Sequence, residues 1–181
     1  MVLIGDASGY GISASITMSL AKAIITSLIY RDTPMECLLQ EIHSILIKTG
    51  LKDQFLTLQI AEIDKENKSI NFYSAGHPPA FFISRKGVKE LRINSFPIGL
   101  FSGPGFEVIS FKYEEGDSLI FYTDGLVETE DENFGIKELQ KLIEKNLNEK
   151  EFFFQKLLED IEDIFKGKNP IDDLTILFIK L

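Results

Sequence analysis

Residues 55–63 (FLTLQIAEI) alternate apolar and polar side chains, and residues 69–74 (SINFYS) resume the alternation after the polar run Asp64-Lys65-Glu66-Asn67-Lys68. A period of two on both sides of a polar turn predicts a β-hairpin. AFFIS and VKELRI predict a second hairpin across Arg85-Lys86-Gly87, following the corner Ala75-Gly76-His77-Pro78-Pro79. A loop-like SFPIGLFSGPG then leads to FEVISFKY, the turn Glu114-Glu115-Gly116-Asp117 and SLIFYT, two further strands. Ahead of these, a brief strand Val2-Leu3-Ile4 breaks at Gly5. Small and apolar residues then run from 12 to 30 as a helix, which Asp32-Thr33-Pro34 ends before a second helix over 35–48. Beyond residue 136, IKELQKLIEK and EFFFQKLLEDIEDIFK space their apolar residues three and four apart, which predicts two more helices. The closing run LTILFIKL predicts a buried, central strand. The order implies a layered α+β domain over 1–181 with antiparallel sheets, without internal repeat or linker.

Composition sharpens this picture. The chain has 181 residues, 44% of them hydrophobic and 15 of them Phe, enough for one domain with a single core. A net charge of -9 sets nucleic acid and anionic membrane aside as partners and favours cations or basic protein patches. Cys37, the only cysteine, cannot form an internal disulfide, and its helical setting predicts a buried free thiol suited to a reducing cytoplasm. The apolar stretch 12–30 approaches the length of a membrane span. Lys22 and its repeated Ser and Thr point instead to a helix buried in a soluble core, with no membrane insertion.

Three Asp-bearing corners lie where an apolar strand meets a turn: Asp6 after VLIG, Asp124 in LIFYTDG, and Asp172-Asp173 in NPIDDLTILF. If the strands are neighbours, the corners meet at one edge, and carboxylates that close destabilise the fold unless a cation lies among them. Oxygen ligands without a nearby Cys or His pair favour Mg²⁺ or Mn²⁺ over zinc. Two such ions about 3.5–4 Å apart can ionise a bridging water and neutralise a phosphoryl group, which hydrolyses phosphate esters without a protein nucleophile. No Ser/His/Asp set competes with this, because the two histidines are His43, within a predicted helix, and His77, before two prolines. Singly, each corner is an ordinary turn or cap.

Together, the order IGDASGYG, YSAGHPPAFFI, FPIGLF, GDSLIFYTDGLVET with NFG, and DDLTILFIKL resembles the bacterial PPM-type (type 2C) Ser/Thr protein phosphatases, in the branch of stage II sporulation protein E and the SpoIIE/RsbU group. The resemblance covers nearly the whole chain and implies a layered sandwich of two antiparallel β-sheets flanked by α-helices. It implies that Asp6 bridges two Mn²⁺ or Mg²⁺ ions, that the Ala7 carbonyl binds one of them, and that Asp124 and Asp172 complete the ligands of the other. Asp173, Gly125 and Ser8 are secondary candidates, Asp173 as a strand-start cap or supporting group. The implied reaction is attack of metal-activated water on a phosphoserine or phosphothreonine of a signalling protein, such as an anti-sigma-factor antagonist. The alternative is an interaction module of the same fold that binds a signalling partner without catalysis.

The chain departs from the family pattern twice. Relatives carry an upstream strand pair with a Gly-Gly-Asp segment, so the domain reads either as truncated at its N-terminus, with one of its two metals weakly held, or as taking the missing acid from elsewhere, another chain included. Tyr10 stands where the branch has His. His77 is expected to fix its turn by a hydrogen bond, and His43 to be a half-buried helix residue. Three adjacent aromatics, Phe152, Phe153 and Phe154, cannot share one face, which leaves one as a patch for a partner or a second copy in a homodimer. Glu128, Glu130, Asp131 and Glu132 read as a solvated acidic loop. By analogy with relatives, the helical pair 12–48 is a regulatory switch acting on the metals.

Overall fold

The computed structural model describes residues 1–29, 33–49, 54–100, 105–128, 134–166 and 172–181. Its elements are β1 (Val2–Ala7), α1 (Gly11–Leu28), α2 (Met35–Lys48), β2 (Leu56–Asp64), β3 (Ser69–Ala75), β4 (Ala80–Ser84), β5 (Gly87–Leu91), β6 (Val108–Lys112), β7 (Ser118–Tyr122), α3 (Ile136–Asn146), α4 (Phe153–Phe165) and β8 (Ile176–Lys180). The predicted α+β class of two antiparallel sheets with helices is what forms. Tyr30, Asp32, the run 130–132 and Pro170-Ile171 lie outside the described residues.

The chain divides into two units, residues 1–77 with 92–112, and residues 78–91 with 113–181. In the first, an antiparallel sheet runs in the order β1-β2-β3-β6. Leu56, Leu58 and Ile60 of β2 pack with Ile24, Ile25 and Leu28 of α1 and with Leu38, Leu39, Ile42 and Leu46 of α2. α2 is amphipathic, burying Met35, Leu38, Leu39, Ile42, His43 and Leu46 on one face. Cys37 lies on the opposite face and is exposed, so the buried thiol read from the sequence is not found. α1 has the length and apolarity of a membrane span, yet only 28% of it is buried. It packs by one face, through Thr17, Ala21, Ile24, Ile25 and Leu28, and is not the fully enclosed core helix expected. Its Ser15, Thr17 and Thr26 hydroxyls donate back to carbonyls one turn earlier.

The second unit holds a sheet of order β5-β4-β7-β8 and a core of its own, with Phe81, Ile120 and Tyr122 packed against Leu139, Ile143, Leu157 and Ile161 of α3 and α4. Each unit thus buries an apolar cluster among the described residues. β8 is an edge strand of half-buried residues among those described, not the central strand its apolar run suggested. Phe178 explains the run, because Phe154 stacks on it at 4.8 Å and Phe153 tilts against it at 5.7 Å. Phe152 is the aromatic left outside, 65% exposed.

α3 and α4 are tied by Asp160, whose carboxylate accepts from Lys145 at 2.9 Å and from Asn146 at 3.0 Å. The Lys145 bond, then the Asn146 bond, hold this carboxyl below the usual range. A depressed carboxyl contributes stability above its unfolded value, near 4, and loses it as pH falls through the folded one. Asp160→Asn is expected to lower the melting temperature by roughly 2–4 °C at neutral pH, with the gap closing in acid. Thermal melts of both proteins across pH check this.

Candidate functional site

Asp6 and Ala7 end β1, where the strand is pinned to β2. Asp6 faces Thr57 and Ala7 faces Leu56 in the antiparallel register. The Thr57 hydroxyl donates to the Asp6 carbonyl at 3.3 Å and lies 2.8 Å from His77 Nδ1. One residue on, Ser8 N–H donates to the Phe55 carbonyl and Phe55 N–H donates to Ser8 Oγ, both at 2.9 Å. The chain then turns into α1 through Gly9 at φ +80° and Gly11 at φ +70°, left-handed conformations that side-chain-bearing residues avoid. The glycines around Asp6 thus let the strand end against β2 and the helix begin within four residues. Tyr10 sits between them with its ring 80% exposed.

Asp124 and Asp172 belong to the second unit. Asp124 follows β7, all of whose residues are buried, and opens a single 3-10 turn in which its carbonyl accepts from Val127 at 2.8 Å and Glu128 at 2.7 Å. Thr123 stitches this corner to the approach of β8. Its N–H donates to the Thr175 carbonyl at 3.0 Å, its hydroxyl donates to the Asp173 carbonyl at 3.2 Å, and it accepts from Thr175 N–H at 2.9 Å. Asp172 Oδ1 accepts its neighbour's N–H at 2.7 Å, which orients the carboxylate. Asp173 contributes its amide and carbonyl to this scaffold, in keeping with the capping reading.

Gly125 permits the approach. A Cβ there would lie 2.5 Å from the Asp173 carbonyl oxygen and 3.0 Å from that of Asp172, so any larger residue must push the two segments apart. The outcome is that Asp124 and Asp172 each offer a carboxylate oxygen within 4.8 Å of the other. Asp124 Oδ1 is shut off from solvent and has no hydrogen-bond partner among the described residues. A buried anionic oxygen without a donor is costly unless a cation meets it. Two carboxylates with no sulfur or imidazole between them suit a hard divalent ion, so the residues fit the Mg²⁺ or Mn²⁺ that the sequence implied.

Both histidines are structural partners in the first unit. His43 is buried, and its Nδ1 accepts the Gly99 N–H at 3.1 Å, more enclosed than the half-buried position expected. His77 is buried too and makes the predicted turn contact through Thr57. Sequence reasoning missed Thr57, Thr123 and Thr175. The only local signal was Thr123 directly before Asp124, because the partners of all three lie far along the chain.

The family model for Stage II sporulation protein E (SpoIIE) matches residues 1–181. Phosphoserine phosphatase RsbP of Bacillus subtilis is 31% identical over 132 residues, covering 70% of this chain and 33% of RsbP. Thus the chain spans about a third of the length of that relative. The solved RsbU and RsbW domains of Rv1364c from Mycobacterium tuberculosis superpose with a TM-score of 0.83 at 23% identity, over 98% of this chain and 50% of that one. The SiaA-PP2C domain of Pseudomonas aeruginosa gives 0.80 at 19%, over 99% and 74%. At these identities the structural likeness shows the fold, that of a PP2C-type phosphatase domain.

Proposed function

The chain belongs to the stage II sporulation protein E (SpoIIE) family, and on that premise we propose that it is a divalent-metal-dependent protein serine/threonine phosphatase acting on a phosphorylated signalling protein. The observation that carries the reading is the buried, partnerless Asp124 Oδ1 beside the Asp172 carboxylate. On this reading Asp124 and Asp172 would hold Mn²⁺ or Mg²⁺ in the second unit, and Asp6 and the Ala7 carbonyl would serve as ligands in the first, as the family resemblance implies. When bound, the ions supply Lewis acidity that activates water toward phosphorus and offsets the charge on the phosphoryl oxygens.

The chain's own groups prepare that chemistry. The Thr123 and Asp173 bonds keep Asp172 turned toward Asp124, and the 3-10 turn holds Asp124 by its backbone, leaving its carboxylate available. The family resemblance carries the proposal on to a signalling-protein substrate such as an anti-sigma-factor antagonist, and the unpaired Cys37 to action in the cytoplasm.

The test is hydrolysis of p-nitrophenyl phosphate and of a phosphoserine peptide with and without Mn²⁺. A rate that rises with Mn²⁺, falls to background in chelator and returns on adding Mn²⁺ is expected. A rate no higher with Mn²⁺ than in chelator overturns the reading.

A further inference from the structure

We propose that the Thr57 hydroxyl, backed by His77, is a positioning group that sets the Asp6–Ala7 peptide at the end of β1. The proposal rests on the reading of Asp6 and Ala7 as metal ligands and adds to it the residues that aim them. Thr57 stands opposite Asp6 in the register, and its hydroxyl donates to the Asp6 carbonyl at 3.3 Å. The Thr57 oxygen also lies 2.8 Å from His77 Nδ1, a contact in which the ring donates or accepts according to its tautomer.

The peptide is planar, so directing the Asp6 carbonyl fixes the plane that leads into Ala7. The Asp6 and Ala7 Cα atoms lie at the two ends of that plane, so a contact that restrains it acts on the start of the Asp6 side chain and on the approach to the Ala7 carbonyl alike. Threonine suits the task because its branched Cβ restricts χ1, so the hydroxyl direction is not free to wander. His77 is buried and lies just ahead of Pro78 and Pro79, whose fixed φ stiffens the chain beyond it. The arrangement gives the Ala-Gly-His-Pro-Pro corner a purpose beyond its own turn, since the imidazole holds a hydroxyl that in turn holds a ligand loop. Ser8 and Phe55 clamp the next residue, and the β1–β2 ladder carries the backbone up to Ala7, so the Thr57 hydroxyl adds a side-chain contact to a peptide that the sheet already supports.

Thr57→Val keeps the shape and removes the hydroxyl, whereas Thr57→Ser keeps the hydroxyl. Two measurements on the full chain decide: Mn²⁺ affinity by titration calorimetry, and amide hydrogen exchange at residues 6–8 in metal-free protein. Thr57→Val is expected to weaken Mn²⁺ binding about tenfold and to speed exchange at those amides, with Thr57→Ser close to the unchanged chain. His77→Ala is expected to shift both readouts the same way by a smaller factor, and it decides the matter if Thr57→Val does not fold. Equal affinity and exchange in Thr57→Val, or a Thr57→Ser protein as impaired as Thr57→Val, overturns the proposal. If the unchanged chain binds no Mn²⁺, the metal-dependent function falls, and the exchange comparison still decides whether Thr57 restrains the loop.

Discussion

Asp124→Asn is expected to lower Mn²⁺-dependent hydrolysis by at least about 100-fold while leaving the metal-free protein as stable as before, or more so. Substituting groups that only support a metal ligand typically costs 10–100-fold, so loss of a ligand charge belongs at or beyond the upper end. The stability half of the prediction has its own origin. Oδ1 of Asp124 is buried without a donor, and its neighbour within 4.8 Å is another carboxylate, so in the absence of a cation the charge at 124 opposes folding. Asparagine is nearly isosteric, removes that charge and brings an N–H₂ that can donate to Asp172. The backbone role of residue 124 is untouched, because Val127 and Glu128 bond its carbonyl. Rates at saturating Mn²⁺ and melts in chelator separate the alternatives. An unchanged rate removes Asp124 from the site, and a melting temperature well below that of the unchanged chain makes the carboxylate a structural cap.

What the sequence made legible follows the range of the interactions involved. The β2–β3 hairpin was readable because alternation and a polar turn are local, and the pairing runs as expected from Leu58 opposite Ala75 to Asp64 opposite Ser69. The three acidic corners were readable because each sits where a strand pattern stops. The place of β8 was not, since an apolar run fits equally a central strand or an edge strand whose side chains meet a helix, as Phe178 meets Phe153 and Phe154. Cys37 was misplaced because its neighbours are apolar whichever face is buried, and the face is chosen by packing of Leu38, Leu39 and Ile42 on the sheet. Thr57 carried no local mark at all, and Gly125 was marked only as a secondary candidate beside Asp124. Their importance comes from atoms about fifty residues away, His77 excepted, and only the folded chain brings those atoms together.

Gly125 turns that long-range contact into the second large expected effect. The backbone at 125 is not left-handed, so alanine is conformationally acceptable there, and the cost of Gly125→Ala is purely steric. Its methyl carbon would meet the Asp173 carbonyl oxygen at 2.5 Å, and backbone on both sides leaves no flexible side chain to yield. Overpacking of this kind costs about 1–3 kcal/mol, and the relief available is to move the 172–173 segment outward. That movement separates Asp172 from Asp124 and strains the Thr123 bonds, so Mn²⁺ affinity is expected to fall about 10–100-fold together with the melting temperature. Gly116→Ala is the informative contrast. At φ +91° with nothing within 4 Å of where a Cβ would lie, it meets backbone strain alone, costing about 1 kcal/mol without touching the metal ligands. Calorimetric titration with Mn²⁺ and thermal melts on both variants distinguish the two kinds of glycine. If Gly125→Ala lowers stability no more than Gly116→Ala and binds Mn²⁺ as the unchanged chain does, the close approach of the two acidic corners is not what holds the ion.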